Sequence, residues 1–256
     1  VTIYDAQHAT GVGTPSYDSS CLTPEVTLSG IVSAVGTNRY VIEEANGSWH
    51  GVLVFDNTNT PSRGDSITVT GTVDEYYGLT EIVSVSSYTV NSTGNTVDAS
   101  TVSTVETLGD TLPGVTCGST QEEYEGVLLT FYDVEVSSPT DGNGNWRIRD
   151  QGGTKELDVG DVFYNVSMSS GTTIDEISGI LLYSYDRYKL NPRDASDIVE
   201  SACDTGDSTA PDWATSGIAN LTVIPGNTKN DLDWDDATDA ENAVVTYSVY
   251  RSTVSG

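Results

Sequence analysis

Apolar and polar positions alternate from Val26 to Val35, and the same period of two returns along Arg39–Glu44, Val52–Phe55, Ser66–Glu75 and Thr80–Val90. This is the pattern of half-buried β-strands. Turns fall at Gly36–Asn38, Asn46–Gly47, Asn57–Gly64 and Tyr77–Gly78, where Gly, Asn and Pro supply the backbone angles a reversal needs. A second series follows near Gly126–Ser137, Trp146–Arg149, Glu156–Val159, Thr173–Leu182 and Arg187–Leu190. The two series are copies of one unit: GDSITVTGTVDEYYGLTEI at Gly64–Ile82 returns as GTTIDEISGILLYSYDRYKL at Gly171–Leu190, and SGIVSAV at Ser29–Val35 returns as EGVLLTF at Glu125–Phe131. A spacing of roughly a hundred residues is one small domain and not a solenoid repeat. Five strands with a long first one, and Gly30 and Gly71 inside strands where a bend or bulge is needed, predict an all-β chain of two OB-like β-barrels in tandem.

The flanks read differently. Val1–His8, VTIYDAQH, alternates and predicts a strand that lies outside the repeat and pairs with a sheet edge of its own domain or of a neighbour. Residues 1–90 then hold this strand and the first barrel, 91–121 a linker with a short apolar pattern around Val102–Leu108, and 122–200 the second barrel, closed by a helical turn over Asp194–Glu200 capped by Asp194. Residues 201–211 form another linker. In 212–256 a strand, a second strand carrying Trp234 and a third reading TYSVYRS resemble the start of a fibronectin type III-like β-sandwich. Such a sandwich needs about seven strands, so the expected module is partial, with the rest supplied by further sequence or by another chain.

Charge narrows the classes. Ten basic against 38 acidic residues give a net charge of −28, which repels phosphate backbones and anionic lipid while favouring divalent cations and solubility in salt. No apolar run approaches the ~20 residues of a membrane span, and a chain starting at Val1 reads as a processed, exported protein, extracellular or at the cell surface. Of the three cysteines, Cys21 and Cys117 precede the first strand of each repeat and Cys203 follows the second repeat. A disulfide joins Cys117 to Cys203 or Cys21 to Cys117, and one thiol is left over.

IYDAQ at Ile3–Gln7, GIVSAV at Gly30–Val35, the Trp49–Asp56 run, the Gly64–Ile82 segment, EEYEGVLL at Glu122–Leu129, DGNGNW at Asp141–Trp146 and YKLNPRDASDI at Tyr188–Ile198 together resemble the tandem OB-like region of secreted bacterial nucleases of the endonuclease/exonuclease/phosphatase type and related surface proteins. In that family the resemblance implies that chemistry belongs to a separate catalytic domain. Here the two histidines, His8 and His50, carry no motif around them, and there is no GxSxG, HExxH, P-loop or paired CxxC. The chain reads as non-enzymatic.

Three features are candidates for binding. Asp141, Asn143, Asn145 and Asp150 place oxygen side chains on a glycine-rich loop, and Asp231, Asp233, Asp235, Asp236, Asp239 and Glu241 put six carboxylates within eleven residues. Both sets suit Ca²⁺, a hard cation taking six to eight oxygens; the bland alternatives are a hairpin turn and a solvated acidic face. The aromatics Trp49, Trp146, Tyr76, Tyr77, Tyr183, Tyr185 and Tyr188 suit a stacking platform for bases or sugars or, alternatively, the filling of barrel ends and interdomain contacts. Only Arg147, Arg149, Arg187 and Arg193 stand near them as a cationic track. Four N-x-S/T sequons, at Asn46, Asn91, Asn165 and Asn220, mark exposed loops. The expectation is a non-catalytic extracellular structural or adhesive protein, calcium-stabilised and self-assembling into a filament or surface layer or binding other surface proteins. The alternatives are a nucleic-acid-binding accessory region whose catalytic domain lies elsewhere, and a carbohydrate binder.

Overall fold

The computed structural model describes residues 1–8, 25–101, 104–109, 121–201, 222–225 and 230–233. The first alternating series becomes β1 (Val26–Gly36), β2 (Arg39–Glu43), β3 (Gly51–Phe55), β4 (Ser66–Tyr76) and β5 (Leu79–Ser92). These close into a barrel in the order β1-β2-β3-β5-β4. Every neighbouring pair is antiparallel except β3 with β5, whose parallel pairing Leu53–Glu81 and Val54–Ile82 completes the ring. Alternate positions of β4, Ile67, Val69 and Val73, point into a core shared with Leu28, Val32, Tyr40, Ile42, Val52 and Ile82.

Val1–His8 is not the predicted strand. Ile3–Gln7 forms a helix, α1, whose buried residues Ile3, Ala6 and Gln7 follow a spacing of three and four and not of two. Thr2 and Asp5 make a reciprocal capping box, and the Glu44 carboxylate accepts from the Ile3 and Tyr4 N–H groups at 2.9 Å each. These contacts satisfy donors that a first turn otherwise leaves open, and Ile3 and Ala6 enter the first barrel's core.

Two short elements precede the second barrel: β6 (Ser100–Thr101) and α2 (Val105–Leu108). Val105 and Leu108 are buried in the second barrel's core, so part of the expected linker belongs to that barrel. After a 3₁₀ turn at Glu122–Tyr124 come β7 (Leu128–Ser138), β8 (Trp146–Asp150), β9 (Leu157–Val159), β10 (Thr173–Ser184) and β11 (Arg187–Asn191). They repeat the first ring: β9 pairs parallel with β11, and β10 pairs with both β11 and β7 to close it. β6 adds a parallel rung beside β7, and the 3₁₀ turn Ala195–Asp197 leads into β12 (Ile198–Glu200) beside β10. Asp194 caps that turn, accepting from the Ser196 N–H at 2.8 Å. The chain is all-β with two closed five-stranded barrels.

Val1–Ser201 is one compact unit and Ala202–Gly256 a second. In the second unit β13 (Thr222–Pro225) and β14 (Asn230–Asp233) pair as an antiparallel hairpin; Trp234, the third sandwich strand and all three cysteines lie outside the described residues. No helix among the described residues is long and apolar enough to cross a membrane.

What joins the barrels is a third cluster of buried side chains: Ala34, Val41, Leu53 and Leu79 from the first, Leu128, Ile180 and Leu182 from the second. These residues sit on the outer faces of their strands. β3 is therefore buried on both faces from Gly51 to Val54, and β10 from Ile177 to Leu182. Continuous apolar runs such as VLV and GILL follow from that double burial.

Candidate functional site

The repeated tyrosine-rich turns are two-residue hairpin loops. Tyr76 pairs with Leu79 across Tyr77–Gly78, and Ser184 with Arg187 across Tyr185–Asp186. All four loop residues have positive φ: 52° and 88° in the first, 53° and 61° in the second. Hairpins prefer this type I′ pattern because its twist matches that of the strands, and they usually fill it with Asn-Gly. Here tyrosine takes the first position in both copies, where an L-residue costs roughly 1–2 kcal/mol. Tyr77 is 85% and Tyr185 93% exposed, so burial does little to offset that cost. Strain held at a displayed side chain points to use.

The two tips are neighbours. Gly78 lies against the Tyr183 ring so closely that a β-carbon there would stand 2.9 Å from it. Tyr76, 59% exposed, packs edge-to-face on Tyr77 at 4.9 Å. Tyr183 leans on Tyr188 at 4.9 Å, Tyr188 donates its hydroxyl to Glu122, and Lys189 Nζ sits 5.4 Å from the Tyr185 centroid. Five of the seven expected platform residues, Tyr76, Tyr77, Tyr183, Tyr185 and Tyr188, thus belong to two adjoining hairpins.

The other two do not. Trp146 opens β8. Trp49, at φ 69°, donates its backbone N–H to Glu123 O at 2.6 Å and meets His8 edge-on at 5.2 Å. His8 stacks on Tyr4 at 5.1 Å, which lies 5.6 Å from His50. The two histidines of the chain therefore help pack α1, with His50 Nδ1 3.2 Å from Glu44 Oε1.

The four expected cationic residues are each committed to carboxylates. Arg147 pairs with Asp158 at 2.7 Å and Glu156 at 3.7 Å, Arg187 with Asp158 at 2.9 Å, Arg149 with Glu135 at 2.6 Å and Arg193 with Asp197 at 2.7 Å. A phosphate would have to displace these partners.

The expected calcium loop is divided. The Asp141 carboxylate accepts from Asn143 N at 2.8 Å and Asn145 N at 3.0 Å, closing the turn itself, and these bonds hold its carboxyl below the usual carboxylate range. Asp150 instead caps α2, accepting from Val105 N at 3.0 Å and Glu106 N at 2.9 Å. Asp231 and Asp233 fall on β14, and Asp235, Asp236, Asp239 and Glu241 lie outside the described residues. Among the described residues no three His, Cys, Asp or Glu side chains group as metal ligands.

Sequence reading missed the buried carboxyl groups between the barrels: Glu43, Glu81, Glu122 and Glu125. The available signal was their position beside apolar strand residues in YVIEE, TEIV and EEYEGVLL.

No family model and no curated protein matches this chain. Among solved structures, the crystal structure of the p204 HINb domain is similar at 14% sequence identity, covering 66% of this chain and 92% of that one, with a TM-score of 0.30. The two barrels are defined by their own strand order.

The turn geometry makes a direct expectation. Tyr77→Asn would give the favoured Asn-Gly pair and raise stability by about 1 kcal/mol in denaturant unfolding; a loss of stability would mean that the Tyr77 ring is held by contacts within the chain.

Proposed function

We propose that this chain is a non-catalytic structural or adhesive part of an exported protein, and that the paired tyrosine tips are its contact surface for other copies of itself. The carrying observation is the pair of strained, exposed tyrosines at equivalent, adjoining turns. A surface bearing a net charge of −28 repels its own copies until salt or a divalent cation screens it. Contact through aromatic rings therefore operates in saline or calcium-containing surroundings. Binding of nucleic acid, the alternative attached to an accessory region of a nuclease, is disfavoured by this charge and by the carboxylate partners of Arg147, Arg149, Arg187 and Arg193.

Light scattering tests the reading. The wild-type chain is expected to gain mass with concentration in millimolar Ca²⁺, and the double substitution Tyr77→Asn with Tyr185→Asn to stay monomeric while remaining folded. Equal behaviour of the two proteins would remove the tips from the contact, and a monomeric wild type in all conditions would remove self-association altogether. A neutral glycan captured by the wild type alone would keep the tips but replace the partner.

A further inference from the structure

Two carboxyl groups cross the seam between the barrels in opposite directions. Glu43, on β2 of the first barrel, accepts from the Leu128 N–H of the second at 3.2 Å. Glu125, leading into β7 of the second barrel, accepts from the Thr80 N–H of the first at 2.8 Å. Glu43 is 4% and Glu125 1% exposed, and the second oxygen of each, Oε2, has no hydrogen-bond partner among the described residues. The surroundings are mostly acidic or apolar. Glu125 faces Glu122, Glu75 and Glu81. Its backbone carbonyl accepts from Gln7 Nε2 at 3.3 Å, and Thr80 links it to β4 by donating its hydroxyl to Glu75 Oε1 at 2.6 Å. Glu122 faces the Tyr188 hydroxyl, Glu81 faces Asp74 and Arg39, and Glu43 faces Ser33 and Arg193. Beside these groups lie Leu53, Leu79, Leu128, Ile180 and Leu182.

We infer that the seam is a proton-operated joint: neutral carboxyl groups at Glu43 and Glu125 keep the two barrels docked, and their ionisation loosens the docking while each barrel stays closed. An ionised carboxylate in such a place loses its hydration and meets like charge, whereas the neutral acid adds an O–H and no charge.

Burial pushes the Glu43 carboxyl up to about 7, against the opposing pull of Ser33, the Leu128 N–H and Arg193. Burial and then Asp74 push Glu81 up to about 7. Burial, followed by the charge of Glu122, pushes Glu125 well above the carboxylate range, and burial raises Glu122 against the Tyr188 hydroxyl. A folded-state value above the unfolded one favours the protonated form in the folded chain. The resulting stability is complete below the unfolded value and declines as pH rises through the folded value. Asp194, lowered to about 2 chiefly by the Ser196 hydroxyl, titrates far below this window.

The experiment is a thermal melt of the full chain at about pH 5 and about pH 8 for wild type, Glu43→Gln, Glu125→Gln and the double variant. The wild-type melting temperature should fall by several degrees at the higher pH, each single variant should lose part of that fall, and the double variant most of it. A wild-type value that does not fall, or an undiminished fall in the double variant, would overturn the joint. Should the double variant not fold, amide exchange in the wild type, corrected for intrinsic rates, decides: rising pH should unprotect Leu128 and Thr80 while Ile67 and Ile174 inside the barrels stay protected. Uniform protection or uniform loss would overturn the inference.

Discussion

Gly126→Ala should lower the stability of the Val1–Ser201 unit by about 2–5 kcal/mol, the sum of a left-handed backbone cost and an overpacked contact. Gly126 has φ +75°, and a β-carbon there would stand 2.7 Å from the carbonyl carbon and oxygen of Gly51 and 2.9 Å from Val52 N. All three are backbone atoms, so no rotamer change relieves the overlap. The contact is reciprocal, because a β-carbon on Gly51 would run into the Gly126 carbonyl. Gly51 is not among the residues of positive φ. Gly51→Ala adds no left-handed backbone cost, but its β-carbon would overlap the Gly126 carbonyl more deeply than a Gly126 β-carbon overlaps Gly51, so it should cost no less than Gly126→Ala. The control is Gly142→Ala, where a β-carbon meets nothing within 4 Å and no positive φ adds strain; its effect should be close to zero. Denaturant midpoints of the three variants check the account. Gly126→Ala as stable as Gly142→Ala would mean that the barrels do not touch backbone to backbone.

Arg193→Ala should cost about 3–5 kcal/mol, the range for breaking a buried ion pair and stranding its partner. Arg193 Nε and Nη2 hold the two oxygens of Asp197 at 2.8 and 2.7 Å, and its backbone N–H adds a third bond at 2.7 Å. The Asp197 side chain is only 4% exposed, so removing the guanidinium strands its carboxyl group with little water to solvate it. Arg193 Nη1 also donates to Ser33 O at 3.3 Å across the seam. Removing both partners, as Arg193→Met with Asp197→Leu, should cost much less than the single change, since no charge is then stranded. If unfolding shows the single change costing under about 1 kcal/mol, the pair behaves as an exposed surface bridge and the buried geometry is wrong.

The barrels were legible because their strands alternate and the alternation recurs: Gly71 and Gly179 occupy matching places, and Tyr77 and Tyr185 sit at matching turns. α1 was misread because Val1 and Ile3 mimic alternation, although the Thr2–Asp5 pair that caps the helix was in plain view. The seam was illegible for a different reason. Runs such as VLV and GILL announce a strand, but which element covers the second face depends on contacts distant in sequence. Glu43 and Glu125 could not be told from the other acidic residues until the fold buried them, just as Asp150 looked like a loop ligand until α2, some 45 residues earlier, came to rest on it. The tyrosine platform was visible as residue types, but only the turn geometry separates five of its members from Trp49.

The sign of the salt dependence tests the central proposal most directly. Sedimentation of the wild-type chain should be followed as salt and then Ca²⁺ are raised, with and without a single-stranded oligonucleotide. Contact between tyrosine tips of like-charged copies strengthens as screening increases, so the account expects the weight-average mass to rise with salt and the oligonucleotide to sediment alone. Phosphate binding weakens as salt rises. An oligonucleotide that co-sediments at low salt and is released at high salt, with no growth in protein mass, would contradict the account.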